Sequence, residues 1–575
     1  VTSSKDKDRI VGMRKGLTKY GDDEFALFLR KSFIKGAGYG DEALSRPVVG
    51  IINTGSDFNP CHGNAEELIE RVKAGVEASG ALPMTFPTIS LHESFSFPTS
   101  MYLRNLMAMD TEEMLRALPL DSVVLIGGCD KTVPAQIMGA LSADIPFVQL
   151  VTGPMRTGSF RGQRVGACTD CRRLWAEYRA GNLDDEAIAD ANNALVPSIG
   201  TCGVMGTAST MALLAGAMGL MPLNGATAPA VSADRRRIAE ETGVLAADIA
   251  KRGVKPSEFL SQQAFDNAIR VLLAVGGSTN AIIHLAAMAG RSGHDVSLDR
   301  LDKMAREVPV IVDLKPSGTG YMEDLHNAGG LVRILEALGD LIDKDAITVS
   351  GKTLGEELTR HSVNWPQEVV RTTDSPLFAE GGLAVLYGNL APDGAIIKAA
   401  AASPSLLTHE GRAVVFEDMA DLAQRIDSPD LDVTAEDILV LRNIGPRGAP
   451  GMPEAGLIPI PRKLARQGVK DMVRISDGRM SGTAAGTIIL HVAPEAAIGG
   501  ALAYVKTGDI ISLNVEERRL EVQLSEAELA ARKDEMPLKT IDAPRGYAHL
   551  FHSHVLQAPD GVDFDFMRAT SQKNK

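Results

Sequence analysis

Short apolar runs and longer amphipathic stretches alternate along the N-terminal part of the chain. Pro47-Val48-Val49-Gly50-Ile51-Ile52-Asn53-Thr54, Met84-Thr85-Phe86, Ser122-Val123-Val124-Leu125-Ile126 and Phe147-Val148-Gln149-Leu150-Val151 are short apolar segments, most of them β-branched, and predict buried strands. Between them, Glu66 to Gly80, a stretch from about Thr99 and the segment Ala135 to Ala143 have helical spacing, as does the charged stretch 11–45. Strand, loop and helix in regular succession predict a parallel α/β sheet with covered faces. From about 184 to 300 the pattern is mostly helical. Its most apolar stretch, Val204 to Leu223, is interrupted by Gly, Ser and Thr and predicts a buried helix rather than a membrane span.

The pattern changes again near Gly381. Leu383–Tyr387, Ala395–Lys398, Ala413–Phe416, Ile438–Leu441, Met472–Ile475 and Thr487–Leu490 predict short strands. Two tight turns, Thr507-Gly508-Asp509 and Glu516-Glu517-Arg518-Arg519, are expected to join further strands within 501–524. This half reads as a β-rich, barrel-like domain. The boundary falls in the polar Thr372-Thr373-Asp374-Ser375-Pro376, giving an α/β domain over 1–375 and a β-barrel-like domain over 376–575.

Composition narrows the function. At 575 residues the chain is too long for one core. Lys+Arg 59 against Asp+Glu 73 gives a net charge of −14, which argues against nucleic acid or an anionic membrane as the main partner. The stretch Val1 to Arg9 is polar with no apolar run after it, unlike a signal peptide. Five cysteines, an odd number, fit free thiols or metal ligands in a reducing compartment better than a disulfide framework, so a cytoplasmic setting is expected.

The candidate chemistry lies at strand ends. The apolar run 122–126 ends in Gly127-Gly128-Cys129-Asp130-Lys131-Thr132, placing a thiol, a carboxylate and an amine where a strand gives way to a helix. Ligands of open parallel sheets bind at such carboxyl ends. Cys61, Cys129 and Cys202 each occupy a Gly/Pro-rich loop leading towards a helix, and thiolates so placed bind soft metals; buried packing is the alternative. Cys168 and Cys171 form a C-x-x-C without a second pair, and read as structural or incidental. Glu93, Asp130 and Glu454, from three separate loops, would suit Mg²⁺ if they converge and are solvated surface acids otherwise. Lys131 could be a salt-bridge partner, a general base or an anion clamp. Ser476 to Gly486 resembles an anion-binding loop but lacks the Lys-Ser/Thr ending of a nucleotide P-loop, and within it Ser481 reads as a turn residue or an activated hydroxyl.

Together, Asp57-Phe58-Asn59-Pro60-Cys61, Gly128 to Pro134, Gly200-Thr201-Cys202, Gly276-Gly277-Ser278-Thr279-Asn280, Gly388-Asn389-Leu390-Ala391-Pro392 and Ile475 to Gly486 resemble the dihydroxy-acid and phosphogluconate dehydratase family. Met480, in Ile475 to Thr483, makes that stretch most similar to the sugar-acid (aldonate) dehydratases, such as those acting on L-arabinonate or D-xylonate.

The resemblance implies an iron–sulfur cluster on Cys61, Cys129 and Cys202, [2Fe–2S] rather than [4Fe–4S], with one iron left open. It also implies Mg²⁺ on Glu93, Asp130, Glu454 and a carboxylated Lys131, Ser481 as base, a swivel-like C-terminal domain as in aconitase, and a homodimer or homotetramer. The activity implied is dehydration of a 2,3-dihydroxy sugar acid to a 2-keto-3-deoxy acid. The rival readings are a branched-chain dihydroxy-acid dehydratase, a Mg²⁺ enzyme whose cysteines are merely buried, and a non-catalytic sugar-acid binding protein. Two features depart from the family's pattern: His62 after the first cysteine, where Asn is common, and the Cys168/Cys171 pair.

Overall fold

The computed structural model describes residues 10–538 and 541–569; the polar segment Val1 to Arg9 lies outside them. Four parallel strands, β1 (Val48–Asn53), β2 (Leu82–Pro87), β3 (Ser122–Gly127) and β4 (Phe147–Val151), form one sheet in the order β2-β1-β3-β4. Every residue of β3 and β4 is buried, which explains why these strands are continuous apolar runs rather than alternating ones. Helices Ala65–Ala78, Ser100–Ala117 and Thr132–Ala143 follow β1, β2 and β3. A further helix, Ala233–Arg252, crosses Ala65–Ala78 closely: a Cβ on Gly75 would stand 2.1 Å from the Glu240 carbonyl oxygen. Val204 to Leu223 contains the wholly buried helix Thr207–Ala217.

The charged stretch 11–45 is broken into a 3₁₀ turn and the helices Asp23–Lys35 and Asp41–Leu44. After β4 comes a small hairpin of β5 (Gly158–Phe160) and β6 (Gln163–Val165). The C-terminal half is a closed eight-stranded barrel. Its strands are β7 (Ala384–Gly388), β8 (Ala391–Ile397), β9 (Thr408–Phe416), β10 (Ile438–Leu441), β11 (Arg474–Ser476), β12 (Ile488–Leu490), β13 (Ile510–Asn514) and β14 (Arg519–Val522). Their order is β10-β11-β12-β8-β7-β14-β13-β9. Ile438 and Val440 of β10 face the barrel core with Ile475 and Ile489, whereas Leu439 and Leu441 pack on the other face with Phe416 and Leu464.

One expectation fails locally. Ala501–Tyr504 is a 3₁₀ turn, so the turn at 507–509 leads into β13 from an irregular segment instead of joining two strands. The β14 turn at 516–519 does join β13 to β14. Among the described residues, no helix is long and apolar enough to cross a membrane.

The two halves are tied together at several points. The segment 551–564 packs Phe551 and Phe564 against Met101, Ile283 and Met452. The buried guanidinium of Arg291 grips Asp563 through two hydrogen bonds of 2.7 and 2.9 Å.

Candidate active site

The parallel sheet delivers its chemistry at one edge. The carboxyl ends of β1, β2 and β3 lead into the Cys61 turn, the His92–Glu93 turn and the Cys129–Lys131 turn, respectively. The end of β4 is stitched to the Cys202 loop: Thr201 N–H donates to the Gly153 carbonyl at 2.9 Å and Met155 N–H to the Thr201 carbonyl at 2.8 Å. Gly128 must be glycine here, since a Cβ would fall 1.8 Å from Thr152 Oγ1. Thr152 is itself committed, donating to the Cys61 carbonyl at 2.7 Å. The first and second cysteine turns are therefore built against each other through the β4 end.

His62 completes that scaffold. Its ring is buried; Nε2 accepts from the backbone N–H groups of Gly128 at 2.9 Å and Cys129 at 3.0 Å, and Nδ1 faces the Thr54 carbonyl at 3.0 Å. Burial pushes its pKa down to about 4, so the neutral tautomer that accepts at Nε2 is the one held. This residue, a departure from the family's pattern in the sequence, orients the backbone that carries Cys129.

Two donor sets meet at Cys129 and Asp130. In the first, ligand atoms of Cys61, His92 and Cys129 all lie within 4.8 Å of one another. Cys129 donates to Cys61, which outweighs the cost of burial and, with a further hydrogen bond from His92, brings the Cys61 thiol down to about 6. Beside them, Cys202 Sγ is 3.3 Å from Cys168 Sγ. Soft thiols gathered in this way suit an iron–sulfur cluster. Cys129 Sγ is 3.5 Å from Asp130 Oδ1, the step from the sulfur set to the oxygen set.

In the second set, carboxylate oxygens of Glu93, Asp130 and Glu454 lie within 4.8 Å of one another, hard donors that suit Mg²⁺. Lys131, with no exposed side-chain surface, contacts Asp130 and stands 3.3 Å from Glu93 and 3.8 Å from Glu454. Arg479, equally buried, reaches Glu454 at 2.6 Å and Glu93 at 3.3 Å. Thr99 and Ser100 hydroxyls donate to Glu93, Thr99 at 2.6 Å. Burial opposes ionisation of Glu93, but Lys131, Arg479 and these hydroxyls together hold its carboxyl well below the usual range. Glu454 goes the other way: burial, helped by the nearby Glu93, outweighs Arg479 and raises it.

Ser481 lies in the loop between β11 and β12, partly exposed, with its Oγ 2.8 Å from Thr483 Oγ1. The loop is pinned from both halves. Thr169 donates to the Thr483 carbonyl at 2.9 Å, and Lys398 donates to the Gly482 carbonyl at 3.3 Å. A Cβ on Gly482 would meet Ser278 Oγ at 2.5 Å and the Thr207 backbone nitrogen at 3.0 Å.

Family models for the dihydroxy-acid/6-phosphogluconate dehydratase N-terminal and C-terminal domains match residues 46–357 and 368–562. The chain belongs to this family. It is 46% identical to an L-arabinonate dehydratase of Rhizobium leguminosarum bv. trifolii, over 96% of this chain and 95% of that protein. A 6-deoxy-6-sulfo-D-gluconate dehydratase of Pseudomonas putida is 44% identical, covering 92% of each chain. A dihydroxy-acid dehydratase of Pyrococcus abyssi is 37% identical over 93% of this chain and 97% of that protein. The protein is thus a hydro-lyase, and its sequence groups with the family's sugar-acid dehydratases.

Within this family member, the structure gathers Cys61 with Cys129, and Glu93, Asp130 and Lys131 with Glu454. It also adds groups that sequence reasoning passed over. Arg479 had been only one letter of a glycine-rich loop, His92 only the neighbour of Glu93, and Asn280 only part of a motif. Asn280 Nδ2 donates to Glu454 at 3.2 Å and to Thr207 at 3.2 Å, while its buried Oδ1 has no protein partner. The larger change concerns Cys168. Read from the sequence as structural or incidental, it lies against both Cys202 and Cys171.

Proposed function

We propose that the protein dehydrates a 2,3-dihydroxy sugar acid, an aldonate such as L-arabinonate or D-xylonate, to its 2-keto-3-deoxy acid. The observation that carries this reading is the contact between the two donor sets at Cys129 and Asp130, a sulfur-lined site and an oxygen-lined site one residue apart. In this reading Cys61, Cys129 and Cys202 hold a [2Fe–2S] cluster. Glu93, Asp130, Glu454 and Lys131 would hold Mg²⁺, the lysine ammonium having lost two protons and gained CO₂ to become a carbamate. A cluster and a divalent cation bound there supply Lewis acidity, which polarises substrate oxygens.

The rest falls to the chain itself. Ser481, ionised, takes the proton from C2, with Thr483 Oγ1 as its hydrogen-bond partner. That proton and the hydroxide lost from C3 make up the water released, and the enol left behind tautomerises to the keto acid. Asn280 and Arg479 fix the carboxylate of Glu454, and Thr99 and Ser100 fix that of Glu93. Identity to the arabinonate dehydratases, 46% and 45%, exceeds the 37% to a dihydroxy-acid dehydratase, which favours a sugar acid over a branched-chain substrate. The reading includes a cytoplasmic homodimer or homotetramer; the five unpaired cysteines support a reducing compartment.

The test is a keto-acid assay with anaerobically reconstituted enzyme on L-arabinonate, D-xylonate, gluconate and 2,3-dihydroxyisovalerate. Turnover is expected on a pentonate and not on 2,3-dihydroxyisovalerate. Ser481→Ala should lower kcat at least ~10²-fold while leaving iron and magnesium content unchanged. Retained turnover in that variant would remove Ser481 from the role of base, and preference for 2,3-dihydroxyisovalerate would overturn the sugar-acid assignment.

A further inference from the structure

The chemistry above uses three of the five cysteines and leaves Cys168 and Cys171. Cys61 and Cys129 are buried, whereas Cys168, Cys171 and Cys202 are half-buried and so open in part to dissolved oxidants. Cys168 touches both of the others: its sulfur stands 3.3 Å from Cys202 Sγ and hydrogen-bonds the Cys171 thiol. The first of these contacts is a hazard for a ligand that has lost its metal. An S–S bond is about 2.05 Å long, so a further approach of about an ångström would trap Cys202 as a disulfide.

Cys171 offers the way out. Cys168 is the N-cap of the twelve-residue helix Thr169–Ala180, and Cys171, three residues on, lies on the same face of its first turn. The residues between them are held. Thr169 donates to the Thr483 carbonyl at 2.9 Å, and Gly166 N–H donates to Asp170 at 2.9 Å. The Asp170 carboxylate is gripped in turn by Lys315 at 3.1 Å and by the Tyr321 hydroxyl at 3.0 Å. Gly203 N–H, on the Ala167 carbonyl at 3.1 Å, keeps the same turn against the Cys202 loop. The three sulfurs are thus carried on one pinned unit, with Cys168 in contact with the other two.

We propose that Cys168 and Cys171 are a resolving pair that returns oxidised Cys202 to the thiol in protein that has lost its cluster. The oxidant is hydrogen peroxide, which passes one oxygen to the Cys202 thiolate to give the sulfenic acid and leaves as hydroxide. The Cys168 thiol attacks that sulfur; the S–O bond breaks, water departs and a Cys168–Cys202 disulfide forms. Cys171 then attacks Cys168, and Cys202 leaves as a thiolate. The two electrons that reduce the peroxide come from Cys168 and Cys171, which end as a disulfide for a low-molecular-weight thiol to reopen. The exchange needs these three thiols alone. Its value to the enzyme rests on the reading of Cys202 as a cluster ligand, since reassembly requires that thiol free. Cys168 makes no bond to iron, and the open iron stays open.

The experiment uses wild type, Cys168→Ser and Cys171→Ser, purified without oxygen and assayed first for iron and sulfide. Each receives the same dose of hydrogen peroxide, is blocked with iodoacetamide, and has its peptides read by mass spectrometry. A second portion is reduced with dithiothreitol and reconstituted with iron and sulfide. Wild type should hold a Cys168–Cys171 disulfide and a free Cys202, and Cys171→Ser should stop at the Cys168–Cys202 disulfide. Cys168→Ser should carry Cys202 as the sulfinic or sulfonic acid, which dithiothreitol does not reduce, and should recover several-fold less iron than wild type. Equal oxidation of Cys202 in wild type and Cys168→Ser, or no Cys168–Cys171 disulfide in wild type, would overturn the resolving pair whatever the iron content. Wild type lacking iron and sulfide before treatment would overturn the cluster reading and the role in reassembly, while the peptide masses would still decide the exchange.

Discussion

Lys131 and Lys398 are both closed off from solvent, in two regions that treat a buried charge in opposite ways. At the turn after β3, burial and Arg479 oppose the Lys131 ammonium, but Asp130, Glu93 and Glu454 outweigh them and raise its pKa. Behind the Ser481 loop, Lys398 donates to the Gly482 carbonyl at 3.3 Å, its one hydrogen-bond partner among the described residues, and burial brings its pKa down to about 7. Depth is the same in the two places, and the partners decide the sign. The first region is a ring of negative oxygens balanced by the cations Lys131 and Arg479. The second is an amine with no carboxylate partner among the described residues, under the Ser481 loop.

The largest effect expected comes from removing the cation of the first region. In the metal-free protein, where Lys131 is the free ammonium and not the proposed carbamate, Lys131→Met leaves three half-buried carboxylates facing Arg479 alone and should cost up to about 3–5 kcal/mol of unfolding free energy, read by urea titration. An unchanged midpoint would mean that the carboxylates are not balanced by Lys131.

The second region should respond in the opposite direction. With a folded pKa of about 7 against 10.5 for an ordinary lysine, the unfolded chain binds more protons between those values. The Lys398 contribution to stability therefore rises with pH from about 7 to 10.5, by roughly 5 kcal/mol at the linkage limit, and is level below 7. The difference in unfolding free energy between wild type and Lys398→Met, measured across that range, isolates this rise; parallel curves for the two proteins would show that Lys398 is not desolvated.

The smallest test sharpens the oxygen side. Thr99 donates to Glu93 and accepts from Arg479 at 2.8 Å, so Thr99→Val should cost about 1–3 kcal/mol and weaken magnesium binding, read by calorimetry. No change in either would place the support of Glu93 elsewhere.

How much of this was legible beforehand follows from how local each signal is. The four strands of the first sheet were readable because β-branched runs such as Val123-Val124 and Val48-Val49 declare themselves within a few residues. The loops bearing Cys61 and Cys129 were readable as strand-end positions for the same reason, and that of Cys202 as the Gly-rich entry to a helix. The barrel was readable strand by strand, except at 501–504, where Ala501-Leu502-Ala503-Tyr504 has the alternation of a strand but turns as a 3₁₀ segment, Leu502 packing into the barrel core.

Arg479 and Cys168 were not legible, because nothing near them in the chain announces their partners. Arg479 meets Glu93 across 386 positions and Cys168 meets Cys202 across 34, the Cys168 turn being tied to the Cys202 loop by Gly203 N–H on the Ala167 carbonyl. The C-x-x-C partner Cys171 does hydrogen-bond Cys168, but that spacing gives no sign of the second contact, to Cys202.

The position of Arg479 has one more consequence. It is rooted in the loop after β11 of the barrel, and its guanidinium is shared between Glu454 of its own half and Glu93, beyond the end of β2 in the other. The oxygen site is therefore not the property of either folding unit but a seal between them, complete only when both have formed and docked. A small loosening at that seam, too slight to expose either core, would be felt first as a loss of grip on the metal. Metal retention on gentle heating would thus report the fit of the two halves before any strand or helix melts.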